Sequence, residues 1–258
     1  MLKLVSWNIN GLRAIHRKGF LEMFEALDCD ILCLQEIKAE ADQLPKALRD
    51  VPGYHAYFNS CETRKGYSGT AMYTRVEPEK ITTGFGEERF DNEGRIQLAR
   101  FDRFDLYNIY YPNGGTGDTR LQYKLDFYEA FQKHAEALRE AGRSLVICGD
   151  VNTAHKPIDL ARPEANTKTS GFMPVERAWI DRFLDAGYLD TFRLFDPEGQ
   201  NYSWWDYKTK ARERNVGWRI DYFFTTPDLR PYIVDAAILP QYYGSDHCPI
   251  SLTLNFNL

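Results

Sequence analysis

The stretch Ser144-Leu145-Val146-Ile147-Cys148 runs directly into Gly149-Asp150-Val151-Asn152. The apolar run is too short for a stable helix and does not alternate with polar residues. It therefore reads as an inner β-strand covered on both faces. Asp30–Leu34 has the same character and ends in Gln35-Glu36. Working outward, strands are also expected at Leu2–Trp7, Thr70–Thr74, Leu106–Tyr110, Ile220–Thr225 and Ile250–Phe256. Leu121, Leu125, Tyr128, Phe131, Ala135 and Leu138 recur at helical spacing. They predict a helix from Thr119 to Ala141, with Asp118 as N-cap and Gly142 as stop. A second helix is expected from Val175 to Ala186, before Gly187, and shorter ones over Phe20–Leu27 and Gln43–Arg49. Strands alternating with helices place the chain in the α/β class.

The chain has 258 residues, 43% hydrophobic and 27% charged. No repeat, low-complexity tract or linker divides it, so residues 1–258 are read as a single domain. No apolar run approaches the ~18 residues of a membrane span. MLKLVSWNIN reads as a first strand and not as a signal peptide. Cys29, Cys33, Cys61, Cys148 and Cys248 are odd in number and scattered, which argues against a disulfide framework or zinc knuckle and for a cytoplasmic protein. The net charge of −5 does not suggest general coating of a polyanion; attraction to nucleic acid would need a local basic patch or a bound metal.

The chemistry concentrates where strands end. The first strand ends in Asn8-Ile9-Asn10, the second in Gln35-Glu36, and Leu106–Tyr110 leads to Tyr111-Pro112-Asn113. Near the C-terminus come Arg219-Ile220-Asp221-Tyr222 and Ser245-Asp246-His247. In open α/β sheets ligands bind beyond strand ends. Glu36, Asp150, Asp221 and Asp246 in one dry pocket would repel one another, and a divalent cation relieves the repulsion. Hard oxygen donors, no Cys and one candidate His favour Mg²⁺ or Mn²⁺ over zinc. Asp150 would then activate or orient a water, Asn152 would fix its geometry, and His247 would stabilise charge on a phosphate. Each residue alone has a plainer reading: Gly-Asp-x-Asn as a turn, Glu36 as a surface strand end, His247 as a loop histidine. Their joint occurrence at strand ends favours the site.

Competing motifs fail. Gly66-Tyr67-Ser68-Gly69 is one residue short of a nucleophile elbow, and Gly114-Gly115-Thr116-Gly117 lacks the spacing and Lys of a P-loop. His155 has no partner at metal-ligand spacing and reads as structural.

SWNINGLR (Ser6–Arg13), LQEIK (Leu34–Lys38), YYPNGG (Tyr110–Gly115), GDVNTAH (Gly149–His155), NVGWRIDYF (Asn215–Phe223) and GSDHCPI (Gly244–Ile250) follow one another in order. This series resembles exonuclease III-type apurinic/apyrimidinic endonucleases, within the wider endonuclease/exonuclease/phosphatase group that includes DNase I. The resemblance implies a four-layer α/β sandwich, two packed mixed β-sheets flanked by helices. It implies a DNA-repair hydrolase that cuts duplex DNA 5′ to abasic sites, leaves a 3′-hydroxyl and trims 3′ ends. It extends to a subgroup with an archaeal member that also cuts beside deoxyuridine. Mg²⁺ is the implied cofactor, with Mn²⁺ as substitute.

Roles follow from the same resemblance. Glu36 is similar to the main metal ligand, helped by Asn8, Asn10 and Asp246. Asp150 matches the water-activating residue, oriented by Asn8 and Asn152. His247 matches the phosphate-stabilising histidine, paired with Asp221, and Tyr110 a phosphate contact. Trp204 and Trp218 match the walls of the abasic pocket. Asn166 and Arg120 match phosphate contacts. Thr116, Lys208 and Thr169 depart from residues that several relatives carry at the DNA.

Independently, Lys208, Lys210, Arg212, Arg214 and Arg219 crowd one segment with Trp204, Trp205, Tyr207 and Trp218, and Arg13, His16, Arg17 and Lys18 form a second basic run. Such a strip reads as a docking face for DNA, with a solvated loop as the alternative. The expected partner is double-stranded DNA, and the expected state is a monomer.

Overall fold

Alternation hidden inside the apolar runs builds the layers. In the computed structural model, which describes residues 1–115 and 117–256, β1 spans Leu2–Asn8, β2 Ile31–Gln35, β3 His55–Asn59 and β4 Thr70–Thr74. Next come β5 (Lys80–Thr83), β6 (Ile96–Arg100), β7 (Asp105–Tyr110) and β8 (Leu145–Asp150). β9 (Leu189–Asp190), β10 (Trp204–Trp205), β11 (Gly217–Trp218), β12 (Asp221–Thr225), β13 (Ile233–Ile238) and β14 (Ile250–Leu254) complete them.

Leu4, Ile31, Cys33, Val146 and Cys148 point into the core between the sheets. Their neighbours Val5, Leu32 and Leu34 point outward under the helices around Leu12–His16 and Phe20–Leu27. Leu145 and Ile147 point outward under the long helix Asp118–Glu140 and the helix Pro174–Asp185. Burial on both faces is why these strands carry no polar alternation.

Two six-stranded sheets result, ordered β13-β14-β1-β2-β4-β3 and β5-β6-β7-β8-β12-β9, with a separate β10-β11 ribbon. Each large sheet is mixed. β1 runs parallel to β2 and β7 parallel to β8, and the remaining pairs are antiparallel. The helix–sheet–sheet–helix sandwich matches the expected architecture.

The differences are local. The long helix starts one residue early: Gly117 is the N-cap at φ 100°, and Asp118 sits inside the first turn, its carboxylate making no cap hydrogen bond. A carboxylate there still favours the positive end of the helix dipole. The helix expected over Gln43–Arg49 is broken by Pro45 into a 3-10 turn (Ala41–Gln43) and a single turn (Lys46–Arg49). β3, β5, β6 and β13 were not anticipated, nor were the two-residue strands β9, β10 and β11. They are edge or next-to-edge material with mixed polar composition, where periodicity is weak. All five cysteines are free and buried. No helix among the described residues is long and apolar enough to cross a membrane. Thr116 lies outside the described residues.

Candidate active site

Strand register brings the polar ends together. The parallel β1–β2 pair sets Asn8 opposite Gln35, so Glu36 emerges beside Asn8. The antiparallel β8–β12 pair sets Asp150 directly opposite Asp221. Asn8 then bridges the two sheets: its Nδ2 donates to Glu36 Oε1 and to Asp150 Oδ2, both at 2.9 Å. Asn152 folds back on Asp150, its backbone N–H donating to Oδ1 at 2.8 Å and its Nδ2 to Oδ2 at 3.2 Å. His247 Nδ1 pairs with Asp221 Oδ2 at 2.8 Å, which turns Nε2 toward Asp150 Oδ2 at 3.8 Å.

Backbone strain marks the same place. Asn10, Glu36, Lys38 and Asn152 all take positive φ, between 47° and 56°. Asparagine tolerates this region, but Glu36 and Lys38 do not adopt it without cost. Gly11 N–H donates to Glu36 O at 2.7 Å and Lys38 N–H to Ser68 O at 2.9 Å, holding the turn.

The charges are out of balance. Burial pushes the Asp150 carboxyl up to about 7; His247 opposes this, while Asp221 and Glu36 add to it. Burial pulls His247 down, but Asp221 and then Asp150 outweigh it and hold the imidazole protonated, at about 10. Burial also works against ionised Asp246, but His247, Asn10 and Trp204 together keep it below the usual carboxylate range. Lys38 Nζ lies 2.7 Å from Glu36 Oε2 and also donates to Asn10 Oδ1. A site this rich in carboxylates calls for more positive charge. The residues fit a hard divalent cation: the Glu36 and Asp150 carboxylates bring oxygens within 4.8 Å of one another, and no thiolate is among them. Asp246 joins the cluster through Asn10 Nδ2 at 2.9 Å.

Beside the cluster lies a cavity of about 300 Å³ whose lining includes Trp204, Trp218, Ile220, Gly171 and His247. The two indoles meet edge to face, 6.3 Å between centroids and 84° between planes. Trp204 Nε1 donates to Asp246 Oδ2 at 3.2 Å, and Phe172 braces Trp218 from behind. Tyr110 lines the cavity, and burial pushes its phenol well above the usual range.

The remaining expected residues divide. Thr169, not Asn166, lines the cavity; Asn166 Nδ2 donates to Arg162 O within its own turn. Arg120 donates to Tyr67 Oη at 2.8 Å and to Asn113 O at 3.2 Å, in a neighbouring pocket that shares Tyr110 and Asn113 with the cavity. Lys208, Lys210 and Arg214 are exposed, as a docking face requires. Arg212 turns inward: it stacks between Trp205 and Tyr243, and its guanidinium donates to Pro240 O and Tyr242 O, both at 2.7 Å. Arg219 does not belong to the surface strip at all. It is 1% exposed and forks onto Asp190 while its Nε holds Asp159. In sequence a basic run looks uniform; backbone alternation sends Trp218 to the cavity and Arg219 to the interior. His155 pairs with Asp181 at 2.8 Å, consistent with a structural role.

Sequence reasoning missed several members. Asn113 lines the cavity and donates to Asn152 Oδ1 at 3.2 Å. Ser203 Oγ donates to Asp221 Oδ2 at 2.6 Å and accepts from the backbone N–H of Ile220 and Asp221. Lys38 pairs directly with Glu36, and Lys124 donates to Asn152 O. The position of Asn113 after a strand end was a usable signal; the lysine and serine carried none.

With this geometry in view, the comparisons agree. The sequence profile of the Endonuclease/Exonuclease/phosphatase family matches residues 5–247. An exodeoxyribonuclease of Bacillus subtilis is 42% identical over 98% of this chain and 100% of that protein. The DNA repair nuclease APEX1 of Danio rerio is also 42% identical, over 98% of this chain and 82% of that protein. Among solved structures, an AP endonuclease from Archaeoglobus fulgidus superposes with a TM-score of 0.90 at 30% identity, covering 99% of this chain and 100% of that one. The 3′ phosphatase NExo of Neisseria, bound to a product DNA hairpin, superposes with a TM-score of 0.89 at 28% identity, covering 99% and 100%.

Proposed function

From the premise that the chain belongs to the endonuclease/exonuclease/phosphatase family, we propose that it is a metal-dependent DNA-repair hydrolase that cuts duplex DNA 5′ to abasic sites. The relatives named as exodeoxyribonuclease, DNA repair nuclease and AP endonuclease support the class. The observation that carries the substrate is the aromatic cavity of Trp204 and Trp218 opening directly on the Asp150–His247 pair. A flipped sugar without its base fits the cavity against these two indoles, and flipping is easiest where no stacking or pairing is lost.

In this reading Asp150 accepts the proton of the attacking water, held by Asn8 and Asn152. Protonated His247, fixed by Asp221, donates to the phosphate oxygen that gathers charge. Tyr110 contacts the phosphate from the opposite wall, and Arg120, Lys208 and Arg214 meet the flanking backbone. Glu36, with Asn8, Asn10 and Asp246 alongside, would hold the cation, Mg²⁺ with Mn²⁺ as substitute. When bound, it neutralises phosphate charge and stabilises the leaving oxygen.

The product keeps a 3′-hydroxyl, and the same site trims 3′ ends. The neighbour named as a 3′ phosphatase favours that second activity. Incision beside deoxyuridine is the finest part of the proposal. The chain acts as one domain and as a cytoplasmic monomer. A time course on duplexes bearing an abasic analogue, a deoxyuridine, a 3′-phosphate or a recessed 3′ end, with and without EDTA, tests the whole. EDTA-sensitive incision at the abasic site supports it; activity on small phosphomonoesters with none on the abasic duplex overturns it.

A further inference from the structure

We propose that Lys124 and Glu176, which touch neither the cavity nor the carboxylate cluster, are positioning residues that set Asn152 on one side and the Trp218 wall on the other. The inference rests on the reading above that Asp150 and Asn152 handle the attacking water.

The pair is fully buried, with both side chains at 0% exposure and 2.6 Å between Nζ and Oε1. Burial favours the neutral lysine and draws its ammonium down from the usual range, against the pull of Glu176. An ion pair in such a place is a poor device for stability, since taking two charges out of water costs about what their attraction returns. Its hydrogen bonds point to another purpose. The Lys124 ammonium spends its three protons on Glu176, on Asn152 O at 2.6 Å and on Thr153 Oγ1 at 2.8 Å. It thus grips the peptide that follows Asn152, the residue whose φ of 56° turns its side chain back onto Asp150.

Glu176 works in the other direction. Its Oε2 accepts from Gly171 N–H at 2.7 Å and from Met173 N–H at 3.1 Å, and its Oε1 accepts from Ser170 Oγ at 3.0 Å. These bonds fix the turn that lines the cavity against Trp218. The turn is tight: a Cβ at Gly171 would stand 3.1 Å from Asn152 O and 3.2 Å from the Trp218 ring. Gly171 O in turn accepts from Ala154 N–H at 2.8 Å. One buried pair therefore couples the residue that orients Asp150 to the wall that selects the substrate.

The test is the charge-free double variant Lys124→Met with Glu176→Met. Removing both charges leaves no buried charge unpaired, but it frees the Gly171 and Met173 N–H groups, so the fold is expected to hold with a lowered Tm. Single variants leave one buried charge unpaired and serve only to show that the pair is real. In the double variant kcat on the abasic duplex should fall ~10–100-fold while KM changes less than about threefold, as expected when reacting groups are misplaced and binding is kept. The Asn152 side-chain amide resonances of the double variant should also shift, read by NMR with the single variant Asn152→Asp for assignment. A double variant that keeps parental kcat, or whose Asn152 amide stays at its parental shift, overturns the proposal. The parent is assayed alongside. If the parent does not cut the abasic duplex, the functional reading falls by itself, and the amide shift still decides the positioning claim.

Discussion

Two buried charge clusters lie close together in this molecule, and they are built on opposite terms. Around Arg219, two arginines face two aspartates. Arg219 forks onto Asp190, its Nε meets Asp159, and Arg193 closes on Asp159 from the other side. Burial alone would raise the Asp159 carboxyl, yet the Arg219 and Arg193 guanidinium groups hold it down at about 2. Around Asp150, four carboxylates share one imidazole and one ammonium, and the same burial drives Asp150 up. The first cluster is complete within the chain. The second is short of positive charge until a cation and a substrate arrive. A buried network that closes on itself is structural; one left open is where chemistry is expected.

The largest effects should separate the clusters by kind. Chelation should abolish cleavage, and Mg²⁺ or Mn²⁺ should restore it; full turnover by thoroughly demetallated protein would break the comparison. Asp150→Asn and His247→Ala should each lower kcat ~10²–10⁴-fold with DNA binding retained, measured by single-turnover kinetics beside a binding titration. In the closed cluster the loss should appear in folding instead. Arg219→Met leaves buried Asp190 without its partner and Asp159 with Arg193 alone, and should cost about 3–5 kcal/mol in denaturant unfolding, taking every activity down together. Selective loss of one activity in that variant would reassign Arg219 to the site.

A smaller effect sharpens the sign. Because the folded-state pKa of Asp150 is raised above its ordinary value, its ionisation destabilises the fold. Any stability tied to its proton is present below about pH 4 and lost as the pH rises through about 7. In EDTA, Asp150→Asn should therefore melt higher than the parent at pH 8, and the gap should close by pH 4. A variant that melts lower at pH 8 would mean that the cluster is balanced after all.

Trp218→Ala should reduce cleavage at abasic sites more than 3′ trimming, and should raise the relative rate on base-bearing nucleotides such as deoxyuridine. An unchanged ratio in a protein with parental Tm would remove the cavity from the account. The smallest effect is electrostatic. Arg214→Ala should weaken all duplexes alike and reduce the slope of log K against log salt by about 0.9. Arg212→Ala should leave that slope alone and lower Tm, since its guanidinium is spent on the carbonyls of Pro240 and Tyr242.

The sequence by itself determined the α/β class and, through its family resemblance, the layers. Continuous apolar runs such as Leu145–Cys148 dictate strands buried on both faces, and the polar residues ending them gather in one acidic cluster. Glu36, Asp150 and His247 were legible because side chains at the ends of buried strands must find partners or a function. Tertiary structure decided what local pattern cannot encode. Whether an arginine in a basic run faces solvent or the interior depends on the turn that carries it and on what packs against it: Arg212 and Arg214 leave the 3-10 turn Ala211–Arg214 in different directions, and Arg219 follows the strand Gly217–Trp218 into the interior. Lys124 looked like one more polar residue on an amphipathic helix, and only its meeting with Glu176, 52 residues away in sequence, gives it a task. Ion pairing and cavity shape depend on long-range proximity, which packing of the whole sandwich creates and no window of sequence contains.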